Sequence, residues 1–121
     1  MILTDTHTLA WLASGDRRLP AEARDELLSS GFFVSAVTAW EYADLHRRGR
    51  FPRGASLDRL LDEFASEVLD YPAHAWSHAA SLPLIHRDPI DRMLISHALV
   101  LGARIATADA NIRRYDVERL W

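Results

Sequence analysis

Four acidic residues, Asp5, Glu41, Asp91 and Asp109, stand where the surrounding sequence makes a carboxylate conspicuous. Asp5 follows the short apolar run Met1-Ile2-Leu3-Thr4, and Asp109 follows Arg104-Ile105-Ala106-Thr107, so each lies just past a β-like segment. Glu41 lies four residues after Val37 and four before Leu45, inside an apolar helical stripe beside Trp40. Asp91 precedes Leu94, Ile95 and Ala98 by three, four and seven residues. Each has an ordinary explanation: aspartate is a favoured helix N-cap, Asp88, Pro89 and Asp91 make a good acidic helix start, and a half-buried glutamate can be met by an arginine. Their convergence would need another. Like charges ~6 Å apart at an effective dielectric of ~20 repel by roughly 3 kcal/mol per pair, and a cation relieves that repulsion. A hard, all-oxygen site favours Mg²⁺, with Mn²⁺ as a substitute, and such ions bind phosphate oxygens, so the implied substrate is a phosphate ester.

Composition narrows the chemistry further. There is no cysteine, which excludes disulfide scaffolds, thiolate metal sites and cysteine nucleophiles. A net charge of −3 argues against nucleic-acid binding by bulk basicity. All fourteen basic residues are arginine, a bias that genomic base composition can explain, although arginine forks suit phosphates. The N-terminus runs directly into patterned sequence, with no leader-like segment and no apolar run of membrane-spanning length, so the expectation is a soluble, cytoplasmic protein. At 121 residues and 49% hydrophobic content, the whole chain is expected to form one domain, residues 1–121.

The elements that must carry these side chains read in an alternating order. A strand ending at Asp5 leads into a helix from Thr6 to Ser14, stopped by Gly15. A second helix opens at Pro20 and runs to Gly31, and Phe32–Ser35 is a buried strand. A third helix spans Ala36 to about Arg48, with Val37, Trp40 and Leu45 on one face, and Gly49 closes it. Ser56-Leu57-Asp58 starts a fourth helix, Glu67–Asp70 is a short strand, and Pro72 opens a helix over Ala73–Ser81. Asp88-Pro89 begins the best-marked helix, which runs to Gly102, followed by a strand over 104–107. A brief helix over Ala110–Tyr115 and a last strand around Val117–Leu120 complete the chain. This alternation predicts an α/β fold, a three-layer α/β/α sandwich with a mainly parallel central sheet and a crevice at the carboxyl ends of its strands.

The chain resembles the PIN-domain family, most closely the VapC-type endoribonuclease toxins of bacterial toxin–antitoxin pairs. The resemblance is carried, over nearly the whole length, by Leu3-Thr4-Asp5-Thr6-His7, by Val34-Ser35-Ala36 leading to Trp40-Glu41, by His86-Arg87-Asp88-Pro89-Ile90-Asp91-Arg92, and by Thr107-Ala108-Asp109. It implies a Mg²⁺-dependent endoribonuclease with Asp5, Glu41, Asp91 and Asp109 as catalytic residues, an RNA substrate, a cognate antitoxin and a homodimer. The metal would be held by Asp5 and Asp91, with Asp109 direct or through water, while Glu41 orients or deprotonates the attacking water. Asp88 is assigned to capping and loop positioning. Asp44 stands where relatives more often have an aliphatic residue and Ile112 where an aromatic is common, which leaves both Glu41 and Asp44 as residues that could face the metal.

Thr6, Ser35 and Thr107 are candidate donors to the carboxylates. Arg47, Arg48, Arg50 and Arg53 in one loop, with Arg87 and Arg92 beside the acidic helix start, are candidates to grip the RNA backbone or to meet acidic groups of an antitoxin. His86 is a residue that could approach substrate, while His7, His46 and His97 read as surface or packing residues. His74 and His78 have zinc-pair spacing but no evident third ligand. The four tryptophans read as core or interface anchors. An aspartyl phosphohydrolase would want an Asp-x-Asp motif or a lysine near the last strand, and neither is present. The alternative to the nuclease is a non-catalytic PIN-fold module that binds RNA or protein.

Overall fold

A computed structural model describes all 121 residues, Met1–Trp121. Four strands, β1 (Ile2–Thr4), β2 (Phe33–Ser35), β3 (Glu67–Leu69) and β4 (Arg104–Ala106), form an all-parallel sheet in the order β3-β2-β1-β4. Six helices link them: α1 (Thr6–Ser14), α2 (Ala21–Ser30), α3 (Ala36–Arg47), α4 (Leu57–Glu63), α5 (Ala75–Ser81) and α6 (Pro89–Leu101). Because successive strand residues point to opposite faces, Ile2, Val34 and Ala106 enter one core with Leu9, Leu12, Leu27 and Tyr42. Leu3 and Ile105 enter a second core with Val37, Leu94, Ile95 and Ala98. A sheet with an apolar core on each face is the α/β/α sandwich that the alternation predicts.

Local chemistry sets the ends of the helices that matter most. Asp5 caps α1, its Oδ1 accepting from the Thr8 N–H at 2.8 Å. Asp88 caps α6 through the Ile90 N–H at 2.9 Å, with Pro89 in the first helical position and Gly102 (φ 65°) ending the helix in the left-handed region. Strand order reverses between β1 and β4: the chain leaves β1 toward β2 and later returns to pair with β1's other side. The crevice at such a reversal lies just beyond the strands' carboxyl ends, where Asp5 and Thr107 follow β1 and β4.

Three expectations are corrected. The last strand is reduced to one parallel bridge between Ile105 and Arg119, closed by Ile105 N–H to Glu118 O and Leu120 N–H to Ile105 O, both 2.9 Å. This tail covers the outer edge of β4 without extending the sheet. The helix before it is a single 3-10 turn, Ile112–Arg114. Trp40 is 61% exposed rather than turned inward. On α3 the buried residues are Val37, Thr38 and Tyr42, and position 40 lies about 200° around the helix from both 38 and 42. Tyr42 takes the core position, stacking on Phe51 at 4.6 Å and donating its hydroxyl to Ala55 O at 2.7 Å.

Candidate active site

The carboxyl ends of β1 and β4 are tied together through Asp5, which is 6% exposed. Its Oδ2 accepts from the Thr107 hydroxyl at 2.5 Å, and its backbone N–H donates to Ala106 O at 3.2 Å. Thr8 strengthens the same junction by donating its hydroxyl to Ala106 O at 2.9 Å. Burial pushes the Asp5 carboxyl above its ordinary range, while the hydrogen bonds from Thr107 and Thr8 pull the other way.

Asp109 is held two residues further on. Its N–H donates to Thr107 Oγ1 at 3.0 Å, and its Oδ1 accepts from the N–H groups of Asn111 and Ile112, leaving Oδ2 directed at the loop before α6. Asp91 enters from the first turn of α6. Burial, and then the negative charges of Asp88, Glu41, Asp109 and Asp5, push its carboxyl up to about 8. Glu41 reaches in from α3, its Oε1 accepting from the Thr6 hydroxyl at 2.5 Å.

All four of these acids line one cavity of about 210 Å³, together with Asp88, His86 and a single apolar side chain, Leu45. No arginine lines it. A second cavity of about 150 Å³ shares Asp5 and Asp109 and is otherwise bounded by His7, Trp11 and Ala108. The ligand atoms of His86, Asp91 and Asp109 lie within 4.8 Å of one another, close enough for one ion. The donors are mostly hard carboxylate oxygens, and no arginine or lysine lines the cavity to offset their charge, so the residues present fit a divalent cation of the Mg²⁺ type.

Several sequence candidates take other places. Ser35 touches none of the acids: its hydroxyl caps α3 through the Val37 N–H at 3.3 Å and pairs with His97 Nδ1 at 2.8 Å, on an inward-facing position at the end of β2. Arg92 is not free to grip a phosphate backbone. Its guanidinium donates to the carbonyls of Ala79 (2.7 Å), Pro83 (2.8 Å) and Leu82 (3.0 Å), tying the end of α5 to α6. Asp44 turns away to Arg47 at 2.8 Å and Arg48 at 3.1 Å, so of the two acids on α3 it is Glu41 that lines the cavity. Asp88 both caps α6 and lines the cavity.

Sequence reasoning missed Thr8, and it left His86 outside the acidic set. The His86 side chain is only 14% exposed, with Nε2 2.8 Å from Asp91 Oδ2 and 3.4 Å from Asp109 Oδ2. The available signal was its place five residues before Asp91 in one short loop. Tyr115 was missed too; its hydroxyl accepts from the His86 N–H at 2.8 Å and donates to Pro83 O at 2.7 Å, pinning that loop.

Comparison with known proteins places this arrangement. No curated protein matches the chain. Among solved structures it is similar to VapBC2 from Rickettsia felis bound to a DNA fragment from their promoter (16% identity, TM-score 0.70, covering 98% of this chain and 96% of that one). It is also similar to VapC20 of Mycobacterium tuberculosis, a Sarcin-Ricin loop cleaving toxin (17%, 0.68, 97% and 96%), and to FitAB bound to the IR36 DNA fragment (20%, 0.64, 98% and 93%). At these identities the likeness is one of fold. The profile of the PIN domain matches residues 2–118, from the first residue of β1 to the tail that closes the edge of β4, and by that match the chain belongs to the PIN domain family.

Proposed function

We propose that this protein is a Mg²⁺-dependent endoribonuclease, the toxin of a toxin–antitoxin pair, which hydrolyses RNA phosphodiester bonds in the acidic cavity. The observation that carries this reading is the meeting of Asp5, Glu41, Asp91 and Asp109 in one cavity without an arginine among them, where burial first and the neighbouring acids second push the Asp91 carboxyl up to about 8. Asp5, Asp91 and Asp109 would hold the cation. When bound, Mg²⁺ or Mn²⁺ supplies charge neutralisation at the phosphate and makes water a better nucleophile at neutral pH.

The chain's own groups do the rest. Thr6 fixes Glu41, whose carboxylate orients the attacking water and takes its proton. Thr107 and the Thr8 N–H fix Asp5 from two sides, so its oxygens need little rearrangement. The cavity of His7, Trp11 and Ala108 shares Asp5 and Asp109 with the acidic cavity and would offer ring surfaces to a base beside the scissile phosphate. Exposed Arg50 and Arg87 hold the RNA backbone, together with exposed Arg47 and Arg48, which also pair with Asp44.

The antitoxin is proposed by analogy with the VapBC2 and FitAB assemblies. Exposed Trp40 and Trp76, 61% and 65%, provide apolar surface for that partner or for a second copy in a homodimer. No helix is long and apolar enough to cross a membrane, and a toxin acting on cellular RNA would work in the cytoplasm.

The test is cleavage of single-stranded and structured RNA by the wild-type chain, with Mg²⁺ or with a chelator, followed by mapping of the product ends. Water attack leaves 5′-phosphate ends and needs the metal. Products ending in 2′,3′-cyclic phosphate would exclude the mechanism, because they require the ribose hydroxyl as nucleophile.

A further inference from the structure

The smaller cavity, about 150 Å³, shares the wall of Asp5 and Asp109 with the acidic one and is completed by His7, Trp11 and Ala108. Its lining suits an uncharged ring better than a phosphate. No arginine lines it, and two aspartates would repel an anion placed there, whereas the His7 and Trp11 rings offer apolar faces to a heterocycle. Both rings stand on one face of α1, four residues apart, with centroids 6.3 Å apart and planes tilted by 52°.

Trp11 is fixed in place without any ligand. It packs, partly buried, against the first core, and the Arg18 guanidinium lies 4.9 Å over its ring. Asp16 holds Arg18 in turn, its Oδ2 accepting from Nη2 at 2.8 Å and its Oδ1 from the Arg18 backbone N–H at 2.9 Å. Arg18 does not line the cavity, so it stiffens the indole without filling the space beside it. A side chain already held in one position loses little freedom when a ligand arrives.

We infer that Trp11, with His7, forms a base subsite that determines how tightly a nucleotide is held: the base attached to the scissile phosphate stacks on the indole. The inference rests on the nuclease reading of the acidic cavity and names what that site binds besides phosphate. Asp5 and Asp109 border both cavities, so a phosphate bound in one places its own base, one ribose away, at the other. Stacking tolerates sequence because every base has a π-face. The subsite therefore separates nucleotides from base-free phosphates more than it separates one base from another.

NMR titration of the Mg²⁺-loaded protein with AMP, UMP and ribose 5-phosphate tests the subsite, on wild type, Trp11→Phe and Trp11→Ala. Wild type should bind either nucleotide roughly 5- to 100-fold more tightly than ribose 5-phosphate. Trp11→Phe should keep most of that preference, while Trp11→Ala should lose it and still bind ribose 5-phosphate like wild type. Wild type alone gives a second measurement that does not depend on a folded variant: base protons should shift upfield and show Overhauser contacts to the indole. Ribose 5-phosphate bound as tightly as AMP, base protons without those shifts and contacts, or a Trp11→Ala variant that keeps the preference would overturn the base subsite and leave the acidic cavity as a phosphate site. A wild-type chain that binds none of the three would remove the phosphate site itself, and the subsite with it.

Discussion

The Asp91 carboxyl shows the combined effect of burial and of neighbouring acids on the site. An unfolded chain gives up this proton near 3.8 and the folded chain near 8, so between those values only the folded state holds it. The contribution of Asp91 to stability therefore falls as pH rises across that window, the reverse of an ordinary paired carboxylate, and Asp5 is shifted in the same direction. Metal-free Asp91→Asn should gain on wild type as pH is raised from 5 to 9, by on the order of 1 kcal/mol or more in urea denaturation, and saturating Mg²⁺ should reverse the ranking. Thr107→Val, which removes a buried donor to Asp5 and an acceptor for the Asp109 N–H, should lower stability by about 1–3 kcal/mol and weaken Mg²⁺ binding about 10-fold in calorimetry. At this scale Asp5, Glu41, Asp91 and Asp109 were legible because each stood beside a recognisable element. His86 was not, because its place depends on how the loop before α6 folds back onto Tyr115.

Among the elements, α6 does the most to build the site, since its first turn carries Asp91 and its remaining turns are buried in the second core. Leu94→Ala should cost about 2–5 kcal/mol in denaturant unfolding and impair metal binding in proportion to the loss of folded protein. The arginines separate by what holds them. Arg92→Ala strips three carbonyls of their donor, so thermal stability should drop by about 1–3 kcal/mol while the salt dependence of RNA binding is kept. Arg87→Ala should leave stability within about 0.5 kcal/mol and reduce the logarithmic salt slope of RNA binding by about 1. Nothing in the sequence distinguishes these two arginines, because helix-end carbonyls become available only once α5 and α6 are packed. The ends of α1, α3 and α6 were readable from Gly15, Gly49, Pro89 and Gly102. The final strand was not, because alternating Val117 and Leu120 report burial but not how many ladder bonds form.

For the whole molecule, the parallel sheet follows from the alternation of strands and helices, and the reversal of strand order between β1 and β4 fixes where its crevice must be. That is why four acids far apart in sequence could be expected to meet. Surface roles were harder to read. Trp40 sits in an apparently apolar stripe yet faces solvent, since a helix flanked by two cores has more than one inward direction. The proposed function requires the acidic cavity to hydrolyse RNA with a divalent cation bound. The most direct measurement is the rate of cleavage of a labelled RNA against Mg²⁺ concentration, for wild type and for folded Asp91→Asn. Wild type should rise from background to a plateau while the variant stays at background; a chelated wild type or an Asp91→Asn variant that cuts as fast as the Mg²⁺-saturated protein would contradict it.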